Sequence, residues 1–282
     1  MSVVVTGATG RLGRLTVEAL LARGVEPTSI VATGRATDKL ADLADRGVNV
    51  AELDYSDVRE GVLSAGDVVV FVSGSEVGQR VDQHRNLVDA AVRAGVARLI
   101  YTSAPAADDT TLILAPEHAA TEQLIRESGL AFTFLRNGWY SENFEQAFRQ
   151  ASGTGVVAAS VGQGRVASAA IADFAEAAAV VATTEGHESV VYELSGDVAW
   201  SHDDLAAAFG EVLGREVVYR PLTPEEHRSV LVGEGLDEGT AGFVVALDQN
   251  TAEGLLAVTT GELTKLIGHP TTPLLETVRT WA

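Results

Sequence analysis

Three glycines, each three residues from the next, stand near the start of the chain in Thr6-Gly7-Ala8-Thr9-Gly10-Arg11-Leu12-Gly13. Glycine is required where a chain reverses sharply, where backbone must approach a bulky anion, and where a helix packs closely on a strand. The turn follows the apolar run Val3-Val4-Val5 and precedes Leu12, Leu15, Ala19 and Ala22 at helical spacing. A strand feeding a helix in this way leaves the first helical N–H groups, and their partial positive charge, free to hold a pyrophosphate. Gly7, Ala8, Thr9, Gly10, Arg11, Leu12 and Gly13 are therefore expected to bind a dinucleotide. In another context the same triplet would be a bare structural turn.

The choice of dinucleotide falls at the end of the second expected strand. A protein reading NAD usually places a carboxylate there to bond the ribose 2′-hydroxyl. Here the residues are Thr33-Gly34-Arg35, with no carboxylate before Asp38. The Arg35 guanidinium is a planar, permanently charged fork suited to a 2′-phosphate. NADP, as NADPH, is the expected cofactor. Asp54 and Tyr55, after the third strand, are placed to bond and cover the adenine, although a solvated turn would read the same way. Ser73, Gly74 and Ser75, after the fourth strand, are small residues where the nicotinamide ribose would pass.

All these candidates share one address, the position just beyond a strand. Strands are expected at Val3–Val5, Ser29–Thr33, Val48–Leu53, Asp67–Val72, Arg98–Tyr101 and Ala131–Leu135. Between them lie helical patterns: one from Leu12, a polar one over Asp38–Arg46, one carrying Leu87, Ala90, Ala91 and Ala94, and one closing over Thr121–Ser128. This alternation predicts an α/β fold, a Rossmann-type doubly wound parallel sheet with right-handed crossovers. Ligands in such sheets sit at the carboxyl ends of the strands.

After about residue 150 the rhythm loosens. Gly153, Gly155, Gly162 and Gly164 punctuate a strand-poor stretch, and Asp173 opens an alanine-rich helix to Ala182. Val190–Leu194 and Glu216–Arg220 read as strands and Asp203–Leu213 as a helix. Thr223-Pro224-Glu225-Glu226 is a helix opening, with Thr as N-cap and carboxylates near the positive end of the dipole. We expect an NADP-binding domain over 1–150, with a return segment near 190–196. A smaller α/β substrate-binding domain over 151–282 is expected to meet it at an interleaved boundary.

Composition narrows the function. With 39 acidic against 20 basic residues, a net charge of −19, the chain would repel nucleic acid and anionic lipid. There is no cysteine, which excludes thiolate nucleophiles, disulfides and thiolate-bound clusters. The uncharged run Ala151 to Gly164 is too short and glycine-rich to span a bilayer as a helix. Met1-Ser2-Val3-Val4-Val5 lacks the basic and long apolar regions of a signal peptide, so a cytoplasmic location is expected. The six histidines show no ligand spacing, and no metal is expected. No G-x-S-x-G elbow marks a serine hydrolase. Arg80, Arg85, Arg93 and Arg98 read as a solvated face with local ion pairs. Self-association is left open.

Longer strings carry a family resemblance. The TGATGxLG turn is followed by Ser73-Gly74-Ser75-Glu76-Val77-Gly78-Gln79-Arg80, by Gln83-His84-Arg85-Asn86, and by Leu135-Arg136-Asn137-Gly138-Trp139-Tyr140-Ser141-Glu142-Asn143. Together they resemble the NmrA-like atypical short-chain dehydrogenases, and among these the flavin-free bacterial NADPH:quinone oxidoreductases of the second type. The resemblance extends through Tyr192-Glu193-Leu194-Ser195-Gly196-Asp197 to Leu266-Ile267-Gly268-His269-Pro270-Thr271-Thr272. It implies a quinone held in a cleft between the two domains. It also implies that Gly7 to Leu12, Arg35, Ser73 to Ser75, Asn137, Gly138, Trp139, Tyr140, Ser141, Glu142 and Ser168 line the cofactor. NmrA-like relatives include dinucleotide-binding redox sensors without turnover, which is the alternative reading.

The substrate class can be tested against the residues themselves. Short-chain dehydrogenases that reduce ordinary carbonyls carry Tyr-x-x-x-Lys after the fifth strand. Here the stretch is Pro116-Glu117-His118-Ala119-Ala120-Thr121-Glu122, with neither residue. An alkoxide product, nearly as basic as hydroxide, needs a strong positioned acid. A hydroquinone anion is a phenolate with a pKa of about 10, and water or a weak donor can protonate it. Hydride transfer to a quinone therefore asks mainly for stacking and alignment. Trp139 and Tyr140 could supply the apolar wall, or could simply pack a domain interface. Asn137 could bond the carboxamide or a quinone oxygen, and His118 is the candidate proton donor, a surface histidine being the blander reading.

Overall fold

The computed structural model describes residues 2–282. Eleven strands are distinguished: β1 (Val3–Val5), β2 (Ile30–Gly34), β3 (Asn49–Glu52), β4 (Val68–Phe71), β5 (Arg98–Ser103), β6 (Ala131–Asn137), β7 (Val156–Ala159), β8 (Arg165–Val166), β9 (Val190–Leu194), β10 (Trp200–Ser201) and β11 (Val218–Pro221). The α-helices are α1 (Arg11–Ala22), α2 (Ala41–Asp45), α3 (Arg80–Ala94), α4 (Ala115–Glu127), α5 (Glu145–Thr154), α6 (Ile171–Thr183), α7 (His202–Leu213), α8 (Pro224–Gly233), α9 (Glu238–Ala252), α10 (Glu262–Ile267) and α11 (Leu274–Arg279).

Seven strands form one sheet in the order β3-β2-β1-β4-β5-β6-β9, and every pairing is parallel. The order reverses between β1 and β4, where Val3 pairs with Ile30 on one side and Val68 on the other. Side chains alternate across the sheet, as its two-residue period requires. Val3, Val5, Val68 and Val70 pack with Leu12, Val17, Leu20 and the alanines of α6. Val4, Val69 and Phe71 pack on the other face with Leu87, Ala91, Tyr101 and Phe134. Strands buried on both faces have no polar side to display, which is why Val3–Val5 and Val68–Phe71 are uniformly apolar.

Several boundaries differ from the sequence reading. The polar helix expected over Asp38–Arg46 divides into a 3₁₀ turn, Thr37–Leu40, and the short α2. The helix α4 begins at Ala115 with Pro116 in its first turn, so it carries His118 a full turn inside. The stretch after Gly153, read as strand-poor, holds β7, which pairs in parallel with β11, and β8, which pairs with β10. Short alanine-rich strands such as Val156-Val157-Ala158-Ala159 give little β signal, and their pairing is decided by distant partners.

From residue 151 onward the chain alternates between two bodies. The helix α6 packs on α1 and α10, and β9 extends the large sheet. Around β7 and β11, a third core gathers Phe148, Trp200, Leu205, Phe209 and Val278. No helix among the described residues is long and apolar enough to cross a membrane.

Candidate active site

The turn between β1 and α1 leaves no room for a side chain at Gly13. A Cβ on Gly13 would lie 2.5 Å from the Gly7 carbonyl oxygen and 2.7 Å from its carbon. Gly7 itself has φ of +61°, a left-handed conformation that glycine adopts without cost. Gly10 precedes α1 as N-cap, and no side chain bonds the helix's first N–H groups. Those donors are therefore free for an anion. Ala8 is buried, its N–H donating to the Thr33 carbonyl at 2.8 Å, so it sets the turn rather than lining it.

The turn forms one wall of a cleft of about 390 Å³ at the carboxyl ends of β1 to β4. Gly7, Thr9, Gly10, Arg11, Leu12 and Gly13 line it, as do Arg35, Asp54, Tyr55, Ser73, Gly74 and Ser75. Gly34, Leu53, Val72, Glu76 and Gln83 complete it and were not among the expected residues. Both arginines are held by carboxylates: Arg11 Nη2 lies 2.7 Å from Glu145 Oε2, and Arg35 Nη1 lies 3.0 Å from Glu76 Oε1. The Tyr55 hydroxyl lies 2.6 Å from both Thr6 Oγ1 and the Val72 carbonyl. Burial raises its pKa, so it stays protonated and ties the ends of β1 and β4 together beneath the cleft.

A second group of residues holds the loop after β4. The Gly74 N–H donates to His84 Nε2 at 2.9 Å, and Arg80 Nε donates to the Gly74 carbonyl at 2.7 Å. Four residues on, the Gly78 N–H donates to Glu117 Oε1, whose other oxygen pairs with Arg80 Nη1, both at 2.7 Å. Because Nε2 of His84 accepts, its proton sits on Nδ1 and faces Thr121 Oγ1 at 2.9 Å. Burial, then the charges of Arg80 and His118, lowers the His84 pKa to about 3. The ring is neutral at pH 7 and remains an acceptor. Arg80 and Arg98 are thus buried and only Arg85 and Arg93 are solvated; Arg98 Nη2 donates to the Val181 carbonyl at 2.7 Å. Charge spacing cannot separate a buried arginine from an exposed one, because partners such as Glu117 for Arg80 and the Val181 carbonyl for Arg98 are far away in sequence.

Beyond β6, the expected residues part company. Asn137 is buried; its Nδ2 lies 3.2 Å from the Tyr140 hydroxyl, and its Oδ1 has no partner. Tyr140 packs edge-on against Phe174 at 5.1 Å, in the same apolar cluster as Leu12 and Val72 of the cleft wall. Burial pushes its pKa up to about 12. Glu142 instead accepts the Ile171 N–H with both oxygens at 3.0 Å, capping α6. Ser141 and Ser168 bond each other at 2.8 Å, and Trp200 Nε1 donates to Ser168 at 3.0 Å. These three lock α6 and β10 in place and do not line the cleft.

His118 also turns inward. It is 6% exposed, with Nδ1 2.8 Å from the Tyr101 hydroxyl, and burial lowers its pKa to about 3. It does not line the cleft. One turn later, Glu122 receives the Ser103 hydroxyl at 2.6 Å and Arg136 Nε and Nη2 at 2.9 and 2.7 Å. Glu122, four residues past His118, is thus a buried carboxylate paired with Arg136. Among the described residues no three His, Asp or Glu side chains gather as a metal site.

An apolar hollow of about 250 Å³ opens at the carboxyl ends of β5, β6 and β9. Gly138, Trp139, Leu194, Leu255, Leu256 and Val258 line it, and Pro105 and Ala106 form its lip. Ala106 has φ of +45°, held by a bond from its N–H to Glu193 Oε2 at 3.0 Å. Non-glycine residues adopt this region sparingly, and where they do the surroundings impose it.

The model of the NmrA-like family matches residues 1–273. The chain is 42% identical over 278 residues to Quinone oxidoreductase 2 of Escherichia coli strain K12, covering 98% of this chain and 97% of that protein. Its fold superposes on the crystal structure of an NADPH-dependent quinone oxidoreductase from Escherichia coli complexed with NADPH, with a TM-score of 0.93, 42% identity and 99% of both chains covered. The Citrobacter sp. triphenylmethane reductase complexed with NADP(H) superposes with a TM-score of 0.94 at 36% identity over the whole of both chains.

Proposed function

This chain belongs to the NmrA-like family, and on that premise we propose that it is an NADPH-dependent oxidoreductase that reduces quinones without flavin. The residues present fit the cofactor. A glycine turn with no room for a Cβ at Gly13 lies at uncapped helix N–H groups, Arg35 stands where a 2′-phosphate would lie, and a buried amide oxygen lacks a donor. When bound, NADPH supplies the hydride. The backbone N–H groups at the start of α1 would hold its pyrophosphate and Arg35 its 2′-phosphate.

The observation that carries the reading is the unpartnered Asn137 Oδ1 at the carboxyl end of β6, next in the chain to Gly138 of the apolar hollow. A buried acceptor left unpaired costs about 1–3 kcal/mol, which a ligand donor would recover. A carboxamide N–H is such a donor and a quinone oxygen is not. Asn137 is therefore assigned to orienting the nicotinamide, with Tyr140 holding the other end of its amide. Trp139 and the leucines of the apolar hollow would seat the acceptor ring and exclude water from it. Neither His118 nor Glu122 offers a proton to this region, so water protonates the phenolate product.

The test mixes purified protein with NADPH and a simple benzoquinone and follows nicotinamide absorbance against an enzyme-free control. Sustained turnover that saturates in both reactants is expected. Tight NADPH binding with no turnover above the control would refute the activity.

A further inference from the structure

We propose that Glu76 tempers the preference of this protein for NADPH over NADH, an inference that rests on the cofactor reading above. The end of β2 carries Arg35 and no carboxylate, so the strand alone specifies a 2′-phosphate site. The fold supplies the missing carboxylate from elsewhere. Glu76, on the loop after β4 and 41 residues away, places Oε1 3.0 Å from Arg35 Nη1, and both side chains line the cleft.

Glu76 is held in position. Its Oε2 accepts Gln83 Nε2 at 2.9 Å, and Gln83 is buried in the first turn of α3. The loop itself is anchored on both sides of Glu76. Gly74 is gripped through its N–H by His84 and through its carbonyl by Arg80, and the Gly78 N–H is bound by Glu117. The carboxylate is thus presented to Arg35 by a braced arch.

The consequence is a competition between anions. A 2′-phosphate must share or displace the carboxylate already on the guanidinium, and the two like charges repel. A 2′-hydroxyl has no such conflict and can donate to Glu76, as it does to the strand-end carboxylate of NAD-reading folds. The pair is exposed, with 66% of the Arg35 side chain and 37% of the Glu76 side chain accessible. Exposed ion pairs of this kind alter an equilibrium by about two- to five-fold.

Calorimetry on wild type and Glu76→Gln, with NADPH, NADH and adenosine 2′,5′-bisphosphate as probes, tests the proposal without turnover. The variant is expected to bind NADPH and the bisphosphate about two- to five-fold more tightly. Its NADH affinity should be unchanged or weaker, so the preference widens. Weaker binding of the two phosphate-bearing probes would show that Glu76 positions Arg35 for them, and would overturn the proposal. An unchanged NADPH-to-NADH ratio would overturn it too. If wild type binds none of the three probes, the cofactor assignment falls and the proposal with it; wild-type binding with an unaltered ratio removes the proposal alone. Melting curves for both proteins exclude a folding difference as the source.

Discussion

Acidification should destabilise this protein through two imidazoles that the fold keeps neutral. His84 and His118 have pKa values near 3 in the folded chain, first because burial strips their water and then because Arg80 lies close. In the unfolded chain each titrates near the ordinary value of about 6.5. The unfolded state therefore takes up protons first as pH falls. Stability is independent of these groups above about pH 7 and is lost progressively between about pH 6.5 and pH 3. For one imidazole the linkage amounts to about 0.2 kcal/mol at pH 7 and about 2 kcal/mol at pH 5, a loss of roughly 2 kcal/mol; both together lose roughly 4 kcal/mol. That is a large part of the 5–15 kcal/mol typical of a folded chain. Urea unfolding followed by the fluorescence of Trp139, Trp200 and Trp281 at pH 7 and pH 5 measures the loss. Carboxylates also begin to titrate in this range, so the decisive quantity is the difference between wild type and His118→Gln. Glutamine keeps a polar partner for the Tyr101 hydroxyl but cannot take a proton. The variant should lose roughly 2 kcal/mol less between the two pH values than wild type does. Parallel losses in the two proteins would refute the claim that His118 is buried neutral. Because the folded chain keeps His84 neutral until about pH 3, its Nε2 still accepts the Gly74 N–H at pH 5, and NADPH affinity should not fall through this group between pH 7 and pH 5.

Three further outcomes follow from the site. Arg35→Ala should raise the KM for NADPH about 10- to 100-fold, the loss of a charge-assisted contact, while leaving that for NADH nearly unchanged; equal losses with both cofactors would remove the 2′-phosphate assignment. Asn137→Ala should lower kcat about tenfold or more, since it frees the nicotinamide to rotate, while the dissociation constant for adenosine 2′,5′-bisphosphate stays constant in calorimetry. Trp139→Ala should raise the KM for benzoquinone several-fold with no change in NADPH affinity, and an effect confined to NADPH would place the tryptophan on the cofactor side instead.

What lies along the chain was readable from the chain. The glycine turn, the alternation of strands and helices, and the arginine after β2 are local patterns. Their meaning depends on residues within one strand–turn–helix unit, where chain geometry leaves little freedom. The apolar runs of β1 and β4 likewise announce burial on both faces, because nothing polar interrupts them.

What lies across the chain was decided only by folding. The sequence shows a histidine and a glutamate four apart in α4, but not that the sheet buries both, one against Tyr101 and the other against Arg136. Ser141 and Glu142 sit in a string that resembles a cofactor site, and Ser168 was expected beside it, yet an uncapped helix and a tryptophan claim them first. Arg35 meets Glu76 because parallel strands bring the loops after β2 and β4 to the same edge of the sheet. Periodicity tells a side chain which face to take. It carries no record of the partner waiting there, since that partner arrives through packing between segments whose separation in sequence is free to vary.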